Sequence, residues 1–261
     1  MLPKLTFFAW RNITMQHTSL IPTRYRILSG SLLKLFAVIT MLIDHVASVF
    51  LSKSDITLFT LGSRTLTLYK LMRLVGRTAF PLFAFLLVEG FIHTRDKKRY
   101  GIRLFLFALI SEIPWNLEHK GTWLYSSQNV FFTLFLGFLG LCVLERFIQS
   151  QGEEGKKRLL YAGLLFLLFA VSVILRADYG CSGFGFILML YVLRESPLIR
   201  AVIGSCFLSS RWQVFPAFVL IGFYNGKRGF IRGRILSLLF YAIYPVHLLI
   251  LYWIRLKTIG Y

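Results

Sequence analysis

Charge is scarce in this sequence, and negative charge is scarcest. Charged residues make up 16% of its 261 positions, against roughly a quarter in an ordinary globular chain. Asp and Glu number 11 against 30 Lys and Arg. A disordered chain needs the opposite balance, with little hydrophobicity and much charge. Cysteine is equally thin: Cys142, Cys181 and Cys206 lie far apart, without a CxxC or a zinc-ligand spacing. A disulfide scaffold is therefore excluded, and no metal is expected. Also missing are a fixed-period repeat, a low-complexity tract and a linker that would set off a second domain.

Apolar runs fill the space. Hydrophobic residues reach 56% and the mean hydropathy is +0.67, which points to an all-α, polytopic transmembrane helix bundle. A bilayer core of about 30 Å takes roughly 20 apolar residues per helix, fewer where helices are buried among others. Candidate spans are 32–51, 77–92, 102–115, 130–148, 159–175, 183–193, 199–209, 213–224 and 235–255. This gives about nine spans (eight to ten), of which the three between 183 and 224 are short or broken.

The formal charge of +19 would suggest nucleic acid for a soluble domain. In a membrane chain it reports topology and contact with anionic lipid head groups or anionic ligands, so no nucleic-acid partner is expected. Lys and Arg concentrate in 1–34, Arg95–Arg103, Lys156–Arg158 and Lys227–Arg234. The positive-inside rule then puts the N-terminus in the cytoplasm of a multi-pass cell-membrane protein. One loop, 52–77, breaks the pattern with Lys53, Arg64, Lys70, Arg73 and Arg77. Residues 1–30 read as a cytoplasmic, amphipathic N-terminal segment. They resemble no cleaved leader, since the first long apolar run carries Asp44 and His45.

Ionisable groups inside a bilayer cost several kcal/mol unless paired or hydrated, which makes each a functional candidate. His45 can accept and return a proton near neutrality, although a His–Asp packing bond would explain the Asp44-His45 pair as well. Lys34 precedes His45 by eleven residues, about 16 Å along one helix and on nearly the same face. That stripe suits a long ligand with an anionic head and a reactive tail; snorkelling alone would also account for Lys34. In GRTAFPLFAFLLVEGFIHTRDKKRYGIR, Glu89 and His93 share a helical face, and Pro81 is expected to free a backbone carbonyl towards a cavity. The basic run after it ends a span or grips phosphates. Further on come Glu112 and Asn116 around Pro114, Asp178 in RADYGCSGFG, and Tyr244 with His247 in FYAIYPVHLLIL. Tyr244 and His247 would serve equally well as interfacial anchors. Three histidines and four acids at span level exceed what packing requires.

The segments LKLFAVITMLIDH, GRTAFPLFAFLLVEGFIHTR, SEIPWN, NVFFTLFLG, DYGCSGFG and YPVHLLIL resemble the TraX family over roughly residues 30–252. Its founding member is associated with N-terminal acetylation of conjugative pilin. TraX proteins in turn resemble acyltransferase-3 membrane enzymes, in which a basic residue precedes a helix-1 histidine by eleven positions. There a Phe-rich second helix leads to an Arg-rich loop and a later Pro. Lys34/His45, Pro81–Phe85, Arg95–Arg103 and Pro114 follow that order, with Lys34 replacing the usual Arg and so a point charge replacing a bidentate fork.

The resemblance implies a single acyltransferase domain over 31–256. It would move an acetyl group from cytoplasmic acetyl-CoA to an extracytoplasmic acceptor, with a pilin-like N-terminal amine as the family-implied case. It implies His45, Asp44 and Glu89 as catalytic and Lys34, Arg77, Arg95, Arg99 and Arg103 as holding the CoA phosphates. Glu112, Asn116, Asp178, Tyr244 and His247 would serve substrate or oxyanion. O-acetylation of a glycan or lipid, and proton-coupled transport, are the competing readings. A transporter of that kind would usually carry an internal repeat, and none is visible.

Overall fold

The computed structural model describes residues 21–52, 56–61, 64–150, 155–208 and 211–258. Most of the sequence's expected amphipathic segment, 1–20, lies outside them. The chain is mostly helical. Helix α1 spans Gly30–Phe50, α2 Leu68–Gly76, α3 Ala79–His93, α4 Lys97–Lys120 and α5 Val130–Gln149. They are followed by α6 Gly155–Ile174, α7 Gly180–Val192, α8 Pro197–Phe207, α9 Phe215–Gly222 and α10 Arg234–Thr258.

Each of the nine expected spans falls on a helix, but nine crossings do not follow. Five stretches are long and apolar enough to cross a membrane: Gly30–Phe50, Leu68–His93, Val130–Gln149, Gly155–Ile174 and Ile235–Thr258. Helices α7 and α8, of 13 and 11 residues, reach about 20 Å and 17 Å at 1.5 Å per residue, short of a bilayer core. Helix α4 has the length, at 24 residues, but carries charge at both ends.

The loop 52–77 also differs from expectation. Thr57–Leu61 (β1) pairs antiparallel with Arg64–Thr67 (β2), with a register shift between Thr57 and Phe59, and its Thr and Phe side chains favour strand. The Thr67 side chain then accepts from Lys70 N and caps α2. This hairpin is the departure from an all-α chain among the described residues.

Helix α3 lies at the centre, with Leu82, Phe85, Val88 and Phe91 buried and α1, α5, α7 and α9 packed around it. Pro81 sits in its first turn, where the missing N–H breaks no helix. In α5, Gly137 and Gly140 face Ile187 and Phe184 of α7 so closely that a Cβ at either would overlap them; such small residues let membrane helices approach. Helix α6 shows the opposite character, exposing Leu159, Leu160, Phe166, Leu167 and Ile174.

Contacts sort the bundle into two ends. At one end meet the start of α1, the end of α3, the start of α4 and residues 225–233. There Gly30 N and Ser31 N donate to the carbonyls of Lys227 and Arg228, at 2.8 and 2.9 Å. At the other end meet α2, the end of α4, the start of α5 and residues 175–179, where Asp178 N donates to Gln128 O at 2.9 Å.

Candidate functional site

The Ser-rich start of α1 sets the first half of the site. Ser29 caps the helix by accepting from Leu32 N. The Ser31 hydroxyl donates to the Arg228 carbonyl and accepts from Ile231 N, at 2.9 and 2.7 Å. Gly229, with φ +86°, has no room for a side chain against these two serines. The turn is thereby stitched to α1, and Arg228 is held beside Lys34. Lys34, Arg103 and Arg228 face one cavity of about 440 Å³ and lie within electrostatic reach of each other. The Arg103 Nε is buried without a hydrogen-bond partner. Glu89 lines the same space but is engaged by the Tyr224 hydroxyl and stands 3.9 Å from His93. Three cations thus surround an open volume with little anionic compensation.

A second cavity, of about 120 Å³, occupies the opposite end, lined among others by Asp44, His45, Arg73, Arg77, His119 and Asp178. Its charges are matched. Arg73 Nη1 donates to Asp44 Oδ2 at 2.6 Å, and Arg77 bonds the Tyr179 hydroxyl. Gly76 makes the first pairing possible, because a Cβ there would overlap Asp44. Burial in the 175–179 loop holds the Asp178 carboxyl above the usual carboxylate range. Tyr179 and Arg176 both adopt positive φ, +65° and +48°, a conformation non-glycine residues rarely keep without a reason. The Asp178 carbonyl accepts from the Thr133 hydroxyl, which anchors this strained turn to α5.

Four residues line both cavities: Met41, Phe83, Val130 and Tyr244. They form a neck. On its narrow side, His45 and His247 meet edge to face at 4.8 Å between ring centroids. Each ring's Nδ1 bonds the carbonyl one turn earlier, Met41 for His45 and Ile243 for His247, both at 2.9 Å. With the proton on Nδ1, the lone pair sits on Nε2 in both rings. The Nε2 of His247 is buried and unpartnered. The Tyr244 hydroxyl lies against the backbone N–H at Val130, the first residue of α5, without a well-formed hydrogen bond of its own. One end of the neck therefore offers lone pairs and its wall offers two N–H or O–H donors.

The sequence profile described as "TraX protein" matches residues 29–255. The chain belongs to the TraX family. It is also 32% identical over 250 residues to the probable fimbrial assembly protein FimC, serogroup H1, of Dichelobacter nodosus, covering 84% of this chain and 92% of that protein. No solved structure matches it.

On this TraX-family chain the expected site residues divide into three groups. Lys34, Glu89, Arg103 and Tyr244 line the wide cavity; Asp44, His45, Arg77, Asp178 and again Tyr244 line the narrow one, with His247 packed on His45. Asp44 bonds Arg73, Glu89 is engaged by Tyr224, and the Met41 carbonyl holds His45 Nδ1. Glu112 and Asn116 line neither cavity. The Glu112 carboxylate accepts from Asn129 Nδ2 at 2.6 Å, and Asn129 in turn caps α5 through Phe131 N. Asn116 donates to the Trp123 carbonyl at 2.9 Å. Arg95 and Arg99 are exposed, and Arg99 pairs with Asp96 at 3.0 Å.

Sequence reading missed Arg73, Tyr100, Glu118, His119, Tyr179 and Arg228. His119 was findable: it follows Trp115 by four residues, and the two rings meet at 3.6 Å between centroids, tilted by 33°. Taking the span to end at 115 hid it. One proline removes one hydrogen bond, and α4 runs past Pro114 to a Gly121 C-cap with φ +64°.

Proposed function

We propose that this protein is a membrane acetyltransferase. It passes an acetyl group from acetyl-CoA at the Lys34 end, taken as cytoplasmic, to an amine that enters from the Asp44 end. The observation that carries the reading is the shared neck, where cavities from opposite ends of the bundle meet at Tyr244 beside His45. Bound acetyl-CoA supplies an activated thioester and an easily displaced thiolate. The wide cavity suits such a donor: Lys34, Arg103 and Arg228 lack the anions that three clustered cations call for, and phosphate oxygens provide them. Its deeper walls, Leu86, Leu87, Leu104 and Leu134, suit an uncharged arm.

At the neck, His45 Nε2 takes a proton from the acceptor nitrogen as it attacks the thioester carbonyl. The Tyr244 O–H and Val130 N–H lie where charge develops on the carbonyl oxygen, and the N-terminus of α5 adds its dipole. The same imidazole then returns a proton to the departing sulfur. Asp44, fixed by Arg73, shapes the narrow cavity. A fimbrial assembly relative and the pilin association of the family both favour a pilin-like N-terminal amine as acceptor.

The test uses purified protein in proteoliposomes with labelled acetyl-CoA and a peptide bearing a free N-terminus. Wild type should acetylate the peptide. His45→Ala should lose on the order of 10³-fold, within the range of general acid–base catalysis, with an unchanged thermal midpoint. Full turnover by a folded His45→Ala protein would remove the histidine from the mechanism.

A further inference from the structure

Proton accounting exposes a need that the neck does not meet alone. An N-terminal amine reaches the protein mostly as R–NH3+, carrying three protons. The amide keeps one and the thiolate of CoA takes one to become CoA–SH. The third must leave, so the reaction is acetyl-CoA + R–NH3+ → R–NH–CO–CH3 + CoA–SH + H+. His45 can hold this proton but, half-buried at the neck with the acceptor entering through the cavity beside it, must hand it on before it can act again as a base. A hydroxyl acceptor produces no such surplus.

A cluster outside the transfer step leads away from His45 toward the Asp44 end. His247 packs on His45 at 4.8 Å with its Nε2 bare. Glu118, 3% exposed, acts electrostatically on both rings and forms an ion pair with His119. His119 is 30% exposed on its side chain and lines the narrow cavity. The series therefore runs from a buried imidazole through a buried carboxylate to a half-exposed imidazole. A carboxylate buried among three imidazoles is costly as mere packing.

The groups within electrostatic reach of Glu118 are His45 from α1, His247 and Tyr244 from α10 and its own neighbour His119. Arg255 of α10 donates to the Glu118 backbone carbonyl at 3.1 Å, which adds a cation beside this residue. Beyond them stand Arg73 near His45 and Asp178 near His119.

We propose that His247, Glu118 and His119 form a relay that carries the surplus proton from His45 to the narrow cavity's mouth. The inference rests on His45 acting as the base. His45 Nε2–H gives its proton to His247 Nε2, which passes it to the Glu118 carboxylate; His119 takes it from there to solvent. Glu118 and His119 are relay residues and touch neither donor nor acceptor.

The relay matters only while the acceptor arrives charged. An α-amino group titrates near 7.7–8.0, so its charged fraction falls as pH rises. Peptide acetylation by wild type, Glu118→Gln and His119→Asn in proteoliposomes is measured across that interval. Glu118→Gln should be slower by about tenfold or more near pH 6.5 and approach wild type near pH 9.5, where the amine is already neutral. His119→Asn should follow the same shape, and Glu118→Asp should restore the wild-type profile in part. An equal loss at every pH would make the pair structural, and no loss would make it idle; either result overturns the relay. Absence of peptide acetylation by wild type would instead sink the enzymatic reading beneath it.

Discussion

At the Lys34 end, three cations face about 440 Å³ of open space, and the nearby carboxylate of Glu89 is committed to Tyr224. At the Asp44 end, a cavity of about 120 Å³ holds arginines and acids that answer one another, Arg73 to Asp44 and Arg77 to Tyr179 beside Asp178. Charge left unmatched around a large void is charge held for a ligand. Charge matched within a small one fixes shape. The two ends therefore differ as the proposed reaction requires: it places a polyanionic donor on one side and, on the other, a small group to be positioned and deprotonated. Between them, Met41, Phe83, Val130 and Tyr244 border both spaces.

Changes at the neck should be felt from both sides and cost most. Tyr244→Phe removes one of the two donors proposed to face the oxyanion and should lower kcat about 10²-fold while leaving both KM values near wild type. An equal rise in either KM would place Tyr244 in binding instead. Changes at one end should be felt by one substrate. Lys34→Ala is expected to raise the KM for acetyl-CoA about tenfold, the size of one charge-assisted contact, with the KM for the peptide unchanged. A shift in the peptide KM of similar size would erase the distinction between the ends. Smallest of all is Glu112→Gln. It supports Asn129, the cap of α5, and should lower stability by about 1 kcal/mol with a modest fall in rate. A large, selective effect on catalysis would return Glu112 to the site.

Much of this organisation is legible in the sequence, for identifiable reasons. Helical periodicity aligns Lys34 with His45, and both face the passage, although Met41 between them puts one in each cavity. The nine apolar segments are helices because a run of leucines and phenylalanines declares itself. Their length, and so their number as crossings, depends on neighbours that shelter short helices. The loop 52–77 shows the other limit. Its surplus of Lys and Arg looks like an exception to charge topology, but Arg73 and Arg77 are already used, folded back by α2 against Asp44 and Tyr179. Pairings separated by 29 residues, such as Arg73–Asp44, leave no periodic trace. Nor does the His45–His247 contact, which joins the first long helix to the last.

In the proposed reaction, donor and acceptor meet from opposite sides of the bilayer. The most direct measurement seals an N-terminal peptide acceptor inside proteoliposomes and adds labelled acetyl-CoA outside, with orientation established by impermeant labelling of introduced cysteines at the two ends. The account predicts acetylated peptide in the lumen, formed by molecules whose Lys34 end faces outward and lost in His45→Ala. Acetylation confined to peptide supplied on the same side as acetyl-CoA would contradict it.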